Sequence, residues 1–446
     1  MKKLFFSIVL LSFVLCLSSK TDAYLLGFKS RDNSISNIQQ IEEEYSIRLP
    51  IVSFIFDPYG DSVADTIQKL PTTLWLDRIY HISLSPNSFT AQQVADGLFD
   101  KQYKQFFALI KSGDLKVIFR TMHEFNGWRY PRSSKPIAFK KARIHVRNLS
   151  REAGLTQQDI LFDLSLNARD LPAKNGNPSQ TATFIQCTQA AKAKLNCPTF
   201  EDYYPGDKYV DLMWVTFYNR WKGNSNRRRG TPIDIVNAKG WNTLDRIKTF
   251  NKPIFVDEVG TTSVNYDGPY NFQKSLEVYK NTYDLKNTRL LQLRDFLKSE
   301  PTILGANYFN VDLTNGLKNR TIGELDRSVI DLSSNKFYDG IMDVINAGEK
   351  IEKNSSNLLN LFGIRYVNLS GAKLFVPSQY LKPVQDLYKG IMANTSSSSA
   401  QLAAIQSLQD QWIQKLYRRF TAKDATAITD ILRKILAMQK DVKEKK

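Results

Sequence analysis

The chain is poor in the residues that metal, thiol and phosphate chemistries need. Its 446 residues hold three histidines and three cysteines. The histidines, His81, His123 and His145, are scattered, and Gly127 stands where a His-Glu-x-x-His zinc motif starting at His123 needs its second ligand. A glycine-rich phosphate loop is missing. So is any G-x-S-x-G run, which removes the nucleophile-elbow route to serine hydrolysis. Nothing in this inventory calls for a cofactor. Internal repeats are absent too, and past the N-terminus no segment is apolar enough to span a bilayer.

What is present begins with a leader-like N-terminus. Lys2 and Lys3 precede an apolar run from Leu4 to Leu17, followed by a small-residue exit at Thr21 and Ala23. That pattern predicts a secretory signal peptide over residues 1–23. The run is shorter than the roughly 20 residues a spanning helix needs, so a cleaved leader is expected over a retained anchor. Leu15 before Cys16 argues against a lipoprotein site. The expected location is therefore secreted, extracellular or periplasmic.

The formal charge of +17 falls little on cleavage, because residues 1–23 carry only three lysines and one aspartate. A field of that sign favours anionic surfaces such as acidic polysaccharide or cell wall, although a merely Lys-rich surface explains it equally well. Nucleic acid is not an expected partner, given export and the lack of a compact nucleic-acid motif. Cys187 and Cys197 remain after cleavage, ten positions apart in a turn-rich segment. In an oxidising compartment they are a candidate disulfide, with two unpaired thiols as the alternative.

A hydrophobic fraction of 42% and a charged fraction of 24% are ordinary for a chain that buries a core. The length suits a barrel of roughly 250–350 residues plus an appendage. Short apolar runs alternate with helically spaced segments: YLLGF (24–28), IVSFIF (51–56), RIYHISL (78–84), KVIFR (116–120), DILFDLSL (159–166), VDLMWVTFY (210–218), PIFVDEV (253–259) and ILGANYF (303–309). Eight such strands predict an α/β fold, a (β/α)8 barrel over residues 24–350. Residues 102–113 predict a covering helix with Phe106, Leu109 and Ile110 on one face and Gly113 as its cap. Residues 333–345 predict the last barrel helix, opened by a serine cap, with Phe337, Ile341 and Ile345 four apart. Residues 351–446 read as a mainly helical appendage of unknown role: a polar break, a short apolar patch, a TSSSS linker, an apolar stripe from Leu402 to Phe420, then a second helix around Ile428–Met438.

In such a barrel the chemistry sits at the C-terminal ends of the strands. The fourth strand runs into VIFRTMHEFNGW (117–128), ending at Glu124, and the seventh into PIFVDEVGTT (253–262), ending at Glu258. Two carboxyl groups on facing strands are what glycosidic cleavage needs, one to protonate the leaving oxygen and one to meet the anomeric carbon. A separation of about 5–5.5 Å gives retention of configuration. Glu258 should stay ionised, with Tyr218 on the sixth strand as a hydrogen-bond donor. Strand alternation sends Asp257 and Glu258 to opposite faces, and Glu258 is expected to aim inward.

These residues resemble family 26 of the glycoside hydrolases, whose members include endo-β-1,4-mannanases, β-1,3-xylanases and mixed-linkage glucanases. The likeness lies in GLFDKQYKQFFALIKSGDLKVIFRTMHEFNG (97–127), the strand endings LSLNARD, WVTFYNRW and FVDEVGTT, and covers about residues 24–348. It implies Glu124 as acid/base, Glu258 as nucleophile, His123 as a sugar-binding neighbour and Tyr218 as the group orienting the nucleophile. Arg120, Asn126, Trp128 and Asn167 would line the cleft near the cleaved sugar, and Trp128 and Trp221 are either sugar platforms or structural rings. The third strand departs from the family pattern by ending in SLSP, and the eighth by ending in NYFN where a Trp is common. The implied activity is a retaining endo-β-glycanase, mannanase-like, with a β-1,3-xylanase, a mixed-linkage β-glucanase or an inactive carbohydrate-binding wall protein as alternatives.

Overall fold

The structure is a computed structural model. It describes residues 26–29, 35–45, 49, 51–56, 79–84, 86, 88–113, 115–126, 130–131, 135–168, 198–219, 231–238, 240–261, 283–300, 302–309, 338–345, 362, 364–369 and 372–377. Eight parallel strands close into a barrel in chain order: β1 (Leu26–Lys29), β2 (Ile51–Phe56), β3 (Ile79–Leu84), β4 (Lys116–Arg120), β5 (Ile160–Asn167), β6 (Leu212–Asn219), β7 (Ile254–Thr261) and β8 (Ile303–Phe309). The ring is sealed where β1 pairs with β8, Leu26 to Lys29 lying opposite Ala306 to Phe309. Each expected strand is present to within two residues at either end. Helices wrap one face of this sheet and side chains fill the other, so the strands read in sequence as nearly unbroken apolar runs.

The helices are α1 (Ile35–Tyr45), α2 (Ala91–Ala95), α3 (Asp100–Gly113), α4 (Pro136–Glu152), α5 (Pro232–Val236), α6 (Thr243–Lys248), α7 (Tyr283–Ser299) and α8 (Gly340–Ile345). The buried face of α3 is Tyr103, Phe106, Phe107 and Ile110, while Leu109 is only half-buried. Its rings meet the outward residues of β4 and β5, with centroids 5.2 Å apart for Phe106–Phe119 and 6.4 Å for Phe107–Phe162. Gly113 ends α3 without a left-handed φ; the Leu115 N–H closes the turn on the Ile110 carbonyl at 3.1 Å. At the far end of the barrel α8 starts at Gly340, whose N–H is accepted by Asn287 of α7 at 2.8 Å rather than by a serine. Phe337 and the serines at 333 and 334 lie outside the described residues.

Pairing fixes which residues face inward. Ser53, His81, Asp163 and Asn307, from four different strands, meet inside the ring: His81 Nδ1 lies 2.9 Å from Ser53 Oγ and 2.8 Å from Asn307 Nδ2, and His81 Nε2 lies 3.4 Å from Asp163 Oδ2. Trp214 stacks between His81 and Phe255, at 4.3 and 4.2 Å. Counting by twos from this layer to the strand ends makes Lys29, Ser83, Arg120, Asn167, Tyr218 and Phe309 inward as well.

Strand β7 breaks that count. Val215 pairs with Val256 and Phe217 with Val259, so three steps of β7 answer two of β6, and the same surplus occurs against β8 between Val256–Ala306 and Val259–Tyr308. One extra residue is accommodated at Asp257–Glu258 as a bulge. Counting up from Phe255 gives position 257 the inward place; counting down from Gly260 gives it to position 258. Simple alternation, expected to send Asp257 and Glu258 to opposite faces, is therefore interrupted here, and past the bulge Glu258 faces inward, where Arg120 and Tyr218 reach it.

The chain divides into two compact units, one of Ala23–Leu74 with Arg78–Leu358, which holds the barrel, and one of Met1–Asp22, Trp75–Asp77 and Leu359–Lys446. In the second, the short apolar patch expected within a helical appendage forms an antiparallel pair, β9 (Ile364–Leu369) and β10 (Ala372–Pro377), with Val367 opposite Leu374 and Tyr366 opposite Phe375. Its β-branched and aromatic residues suit a pleated pair better than a helix. The stripe from Leu402 to Phe420 and the helix expected around Ile428–Met438 lie outside the described residues.

Candidate active site

The inward residues at the C-terminal ends of the strands converge on Glu258. Arg120 Nη2, from β4, donates to Glu258 Oε1 at 2.6 Å, and the Tyr218 hydroxyl, from β6, donates to Oε2. Arg120 is fully buried, whereas the Glu258 side chain keeps 12% of its surface exposed. The Arg120 Nε donates to Ser83 Oγ at the end of β3, which fixes the plane of the guanidinium. Burial by itself pushes the Glu258 carboxyl up. The charge of Arg120, the hydrogen bonds from Tyr218 and Arg120, and the charge of Lys29 outweigh it and hold the group below the usual carboxylate range. Glu258 is thus an ionised carboxylate facing the mouth of the barrel.

Glu124 stands four residues beyond Arg120, so the strand end that grips Glu258 also carries the second carboxyl. The backbone turns sharply to present it: Met122 and Glu124 both have left-handed φ, 54° and 47°. The Glu124 N–H is caught by the Ser165 carbonyl at 3.0 Å, and Asn167 Nδ2 donates to Glu124 Oε1 at 3.0 Å. Asn126 locks this arrangement by two hydrogen bonds to the backbone of Asn167, donating to its carbonyl at 2.9 Å and accepting from its N–H at 2.8 Å. Glu124 is half-buried while Met122, His123, Phe125 and Asn126 around it are buried. Its partner is a neutral amide, unlike the cation on Glu258, and that asymmetry suits one carboxyl for proton transfer and the other for permanent charge.

The sequence-selected residues therefore separate into groups. Glu124 pairs with Asn167 and Glu258 with Tyr218, all four at the C-terminal ends of the neighbouring strands β4 to β7. Arg120 and Asn126, expected to line the cleft, are buried braces that hold Glu258 and Asn167. His123 is 7% exposed and shares a 2.9 Å hydrogen bond with the Tyr130 hydroxyl, which fixes its ring. Trp128, Trp221, Cys187 and Cys197 lie outside the described residues. Sequence reasoning missed Ser83, Tyr130, Lys29 and Phe309. Lys29 carried a usable signal, a charge directly after an apolar strand. Among the described residues, no group of three His, Cys, Asp or Glu is placed to hold a metal ion.

No family model matches the chain, and no curated protein matches it. Solved structures with a similar course include the catalytic domain of a Bacillus sp. JAMB-750 endo-β-1,4-mannanase of glycoside hydrolase family 26, at 15% identity over 78% of this chain and 91% of that one, TM-score 0.44. A Cellulomonas fimi endo-β-1,4-mannanase double mutant matches at 10% identity over 74% and 71%, TM-score 0.47. A fungal β-1,4-galactanase matches at 10% over 73% and 99%, TM-score 0.46. Similarity at this level assigns no activity.

Proposed function

We propose that the protein is a retaining endo-β-glycanase that cleaves a β-linked polysaccharide, with mannan as the first candidate substrate. The reading rests on one observation: both oxygens of Glu258 are engaged by Arg120 and Tyr218 in the same barrel mouth as Glu124, whose carboxyl accepts from the neutral amide of Asn167. Glu124 gives its proton to the leaving glycosidic oxygen while a Glu258 oxygen attacks the anomeric carbon, and a glycosyl ester forms as the C–O bond breaks. Glu124, now a carboxylate, takes a proton from water as that water attacks the same carbon. The ester opens, Glu258 leaves as a carboxylate and both groups are restored. Two inversions leave the configuration unchanged. The leader-like residues 1–23 fit export, and the basic charge fits work on cell-wall or other acidic surfaces.

Reducing-end release on mannan, β-1,3-xylan and mixed-linkage β-glucan tests the activity, and proton NMR of the first product tests retention. An inactive carbohydrate-binding protein would be pulled down by polysaccharide and release no ends. Glu258→Ala is expected to lower kcat by on the order of 10⁴-fold with the fold intact. Azide should then restore turnover, giving a glycosyl azide of inverted configuration. Full activity in that variant overturns the assignment.

A further inference from the structure

Two residues at the mouth take no part in that scheme. Lys29 ends β1 directly opposite Phe309 of β8, and both point inward. The Lys29 ammonium lies 5.2 Å from the centroid of the Phe309 ring, and the residue is only 9% exposed. The Phe309 ring in turn meets Tyr218 nearly at right angles, 81°, with centroids 5.7 Å apart. Tyr218 is the group that donates to Glu258. A continuous line of contacts thus runs from β1 through β8 and β6 to the carboxylate on β7.

An ammonium this deeply buried is costly to desolvate and persists where a π-face or an opposite charge offsets the cost. Lys29 has both, because it also acts through space on Glu258. The groups that hold Glu258 ionised are Arg120 from β4, Tyr218 from β6 and Lys29 from β1, and Glu124, beyond the end of β4, is the second carboxyl at that mouth. Arg120 lies on the side of β3 and β4, and Lys29 on the side of β8.

We propose that Lys29 is a positioning residue for the nucleophile: it holds the Phe309 ring against Tyr218 and supplies the second positive charge, across the mouth from Arg120, that faces the Glu258 carboxylate. The assignment rests on Glu258 being the nucleophile. Removing the charge makes Glu258 easier to protonate. Because only the ionised form attacks, the acid limb of kcat/KM then moves to higher pH.

The test compares Lys29→Met, Lys29→Gln and Lys29→Arg with the parent protein, each checked for folding by thermal melting. Carbon-13 NMR follows the titration of the Glu258 carboxyl, identified by the signal lost in Glu258→Gln, and pH profiles of kcat/KM are taken on whichever glycan the parent cleaves. The neutral variants are expected to raise the carboxyl midpoint and the acid limb together, with kcat/KM below the midpoint falling by on the order of threefold or more. Lys29→Arg restores both. An unchanged midpoint in the neutral variants overturns the proposal, as does Lys29→Arg behaving like Lys29→Met. If the parent cleaves no glycan, the glycosidase reading fails, while the carboxyl titration still decides whether Lys29 acts on Glu258.

Discussion

At the scale of single residues, the site depends on a backbone conformation that side chains rarely tolerate. Left-handed φ at Met122 and Glu124, neither a glycine, costs of order 1–3 kcal/mol each. The Ser165 carbonyl and the reciprocal Asn126–Asn167 bonds offset that strain and aim Glu124. Asn126 touches the backbone of Asn167 and stands back from the mouth, so its removal should disturb geometry more than affinity. Asn126→Ala is expected to reduce kcat by about 10- to 100-fold with KM changed less than about threefold. Steady-state kinetics on the cleaved glycan checks this, and a raised KM at constant kcat contradicts it. The places of the two glutamates were legible in the sequence because each comes at the end of an apolar run, Glu124 beyond β4 and Glu258 within the last half of β7. The roles of Arg120 and Asn126 were not, because a sequence gives residue type and place on a strand but not which polar group a buried side chain reaches.

At the scale of elements, the outer wall is held by charge buried between layers. Asp211, just before β6, accepts from Arg147 Nη1 at 2.7 Å, from Gln157 Nε2 at 2.6 Å and from the Phe162 N–H at 2.7 Å. It thereby ties α4, the turn after it and β5 into one block. Arg143, fully buried on the same helix, donates to the Asp163 and Thr121 carbonyls, and burial brings its pKa down to about 10. Asp211→Ala leaves the Arg147 guanidinium buried without its carboxylate and is expected to cost about 3–5 kcal/mol, measured as a lower urea midpoint at unchanged m-value. The eight strands were readable because burial on both faces leaves long apolar runs. The bulge in β7 was not, since a surplus residue shows only when three neighbouring strands are laid side by side. The same limit hid Tyr103 and Phe107 from the expected face of α3, whose contacts are set by the rings of β4 and β5.

At the scale of the whole molecule, the barrel interior carries a histidine that cannot take up a proton cheaply. Burial, then the charge of Arg120, pushes the His81 pKa well below 6.5. Neutral His81 donates from Nε2 to Asp163 and accepts at Nδ1. Unfolded, the same imidazole binds a proton near pH 6.5. The unfolded chain therefore gains protons first, so the stability due to His81 is complete above about pH 6.5 and is lost progressively as pH falls below it. Between pH 6.5 and 5 the parent protein should lose up to about 1.4 kcal/mol per pH unit from this group, and His81→Gln should flatten that slope. Denaturant midpoints across this range decide; parallel slopes in the two proteins rule out His81 as the source.

Closure of the ring through β1 and β8 also has a temporal side. Lys29 and Phe309 stand opposite each other in space but at the two extremes of the barrel sequence. During synthesis the first strand waits for the last, and Tyr218 and Glu258 are without their ring and ammonium neighbours until β8 has been made. A nascent chain thus carries both glutamates and no finished mouth, and the carboxylate on β7 gains its full surroundings only when the barrel is complete.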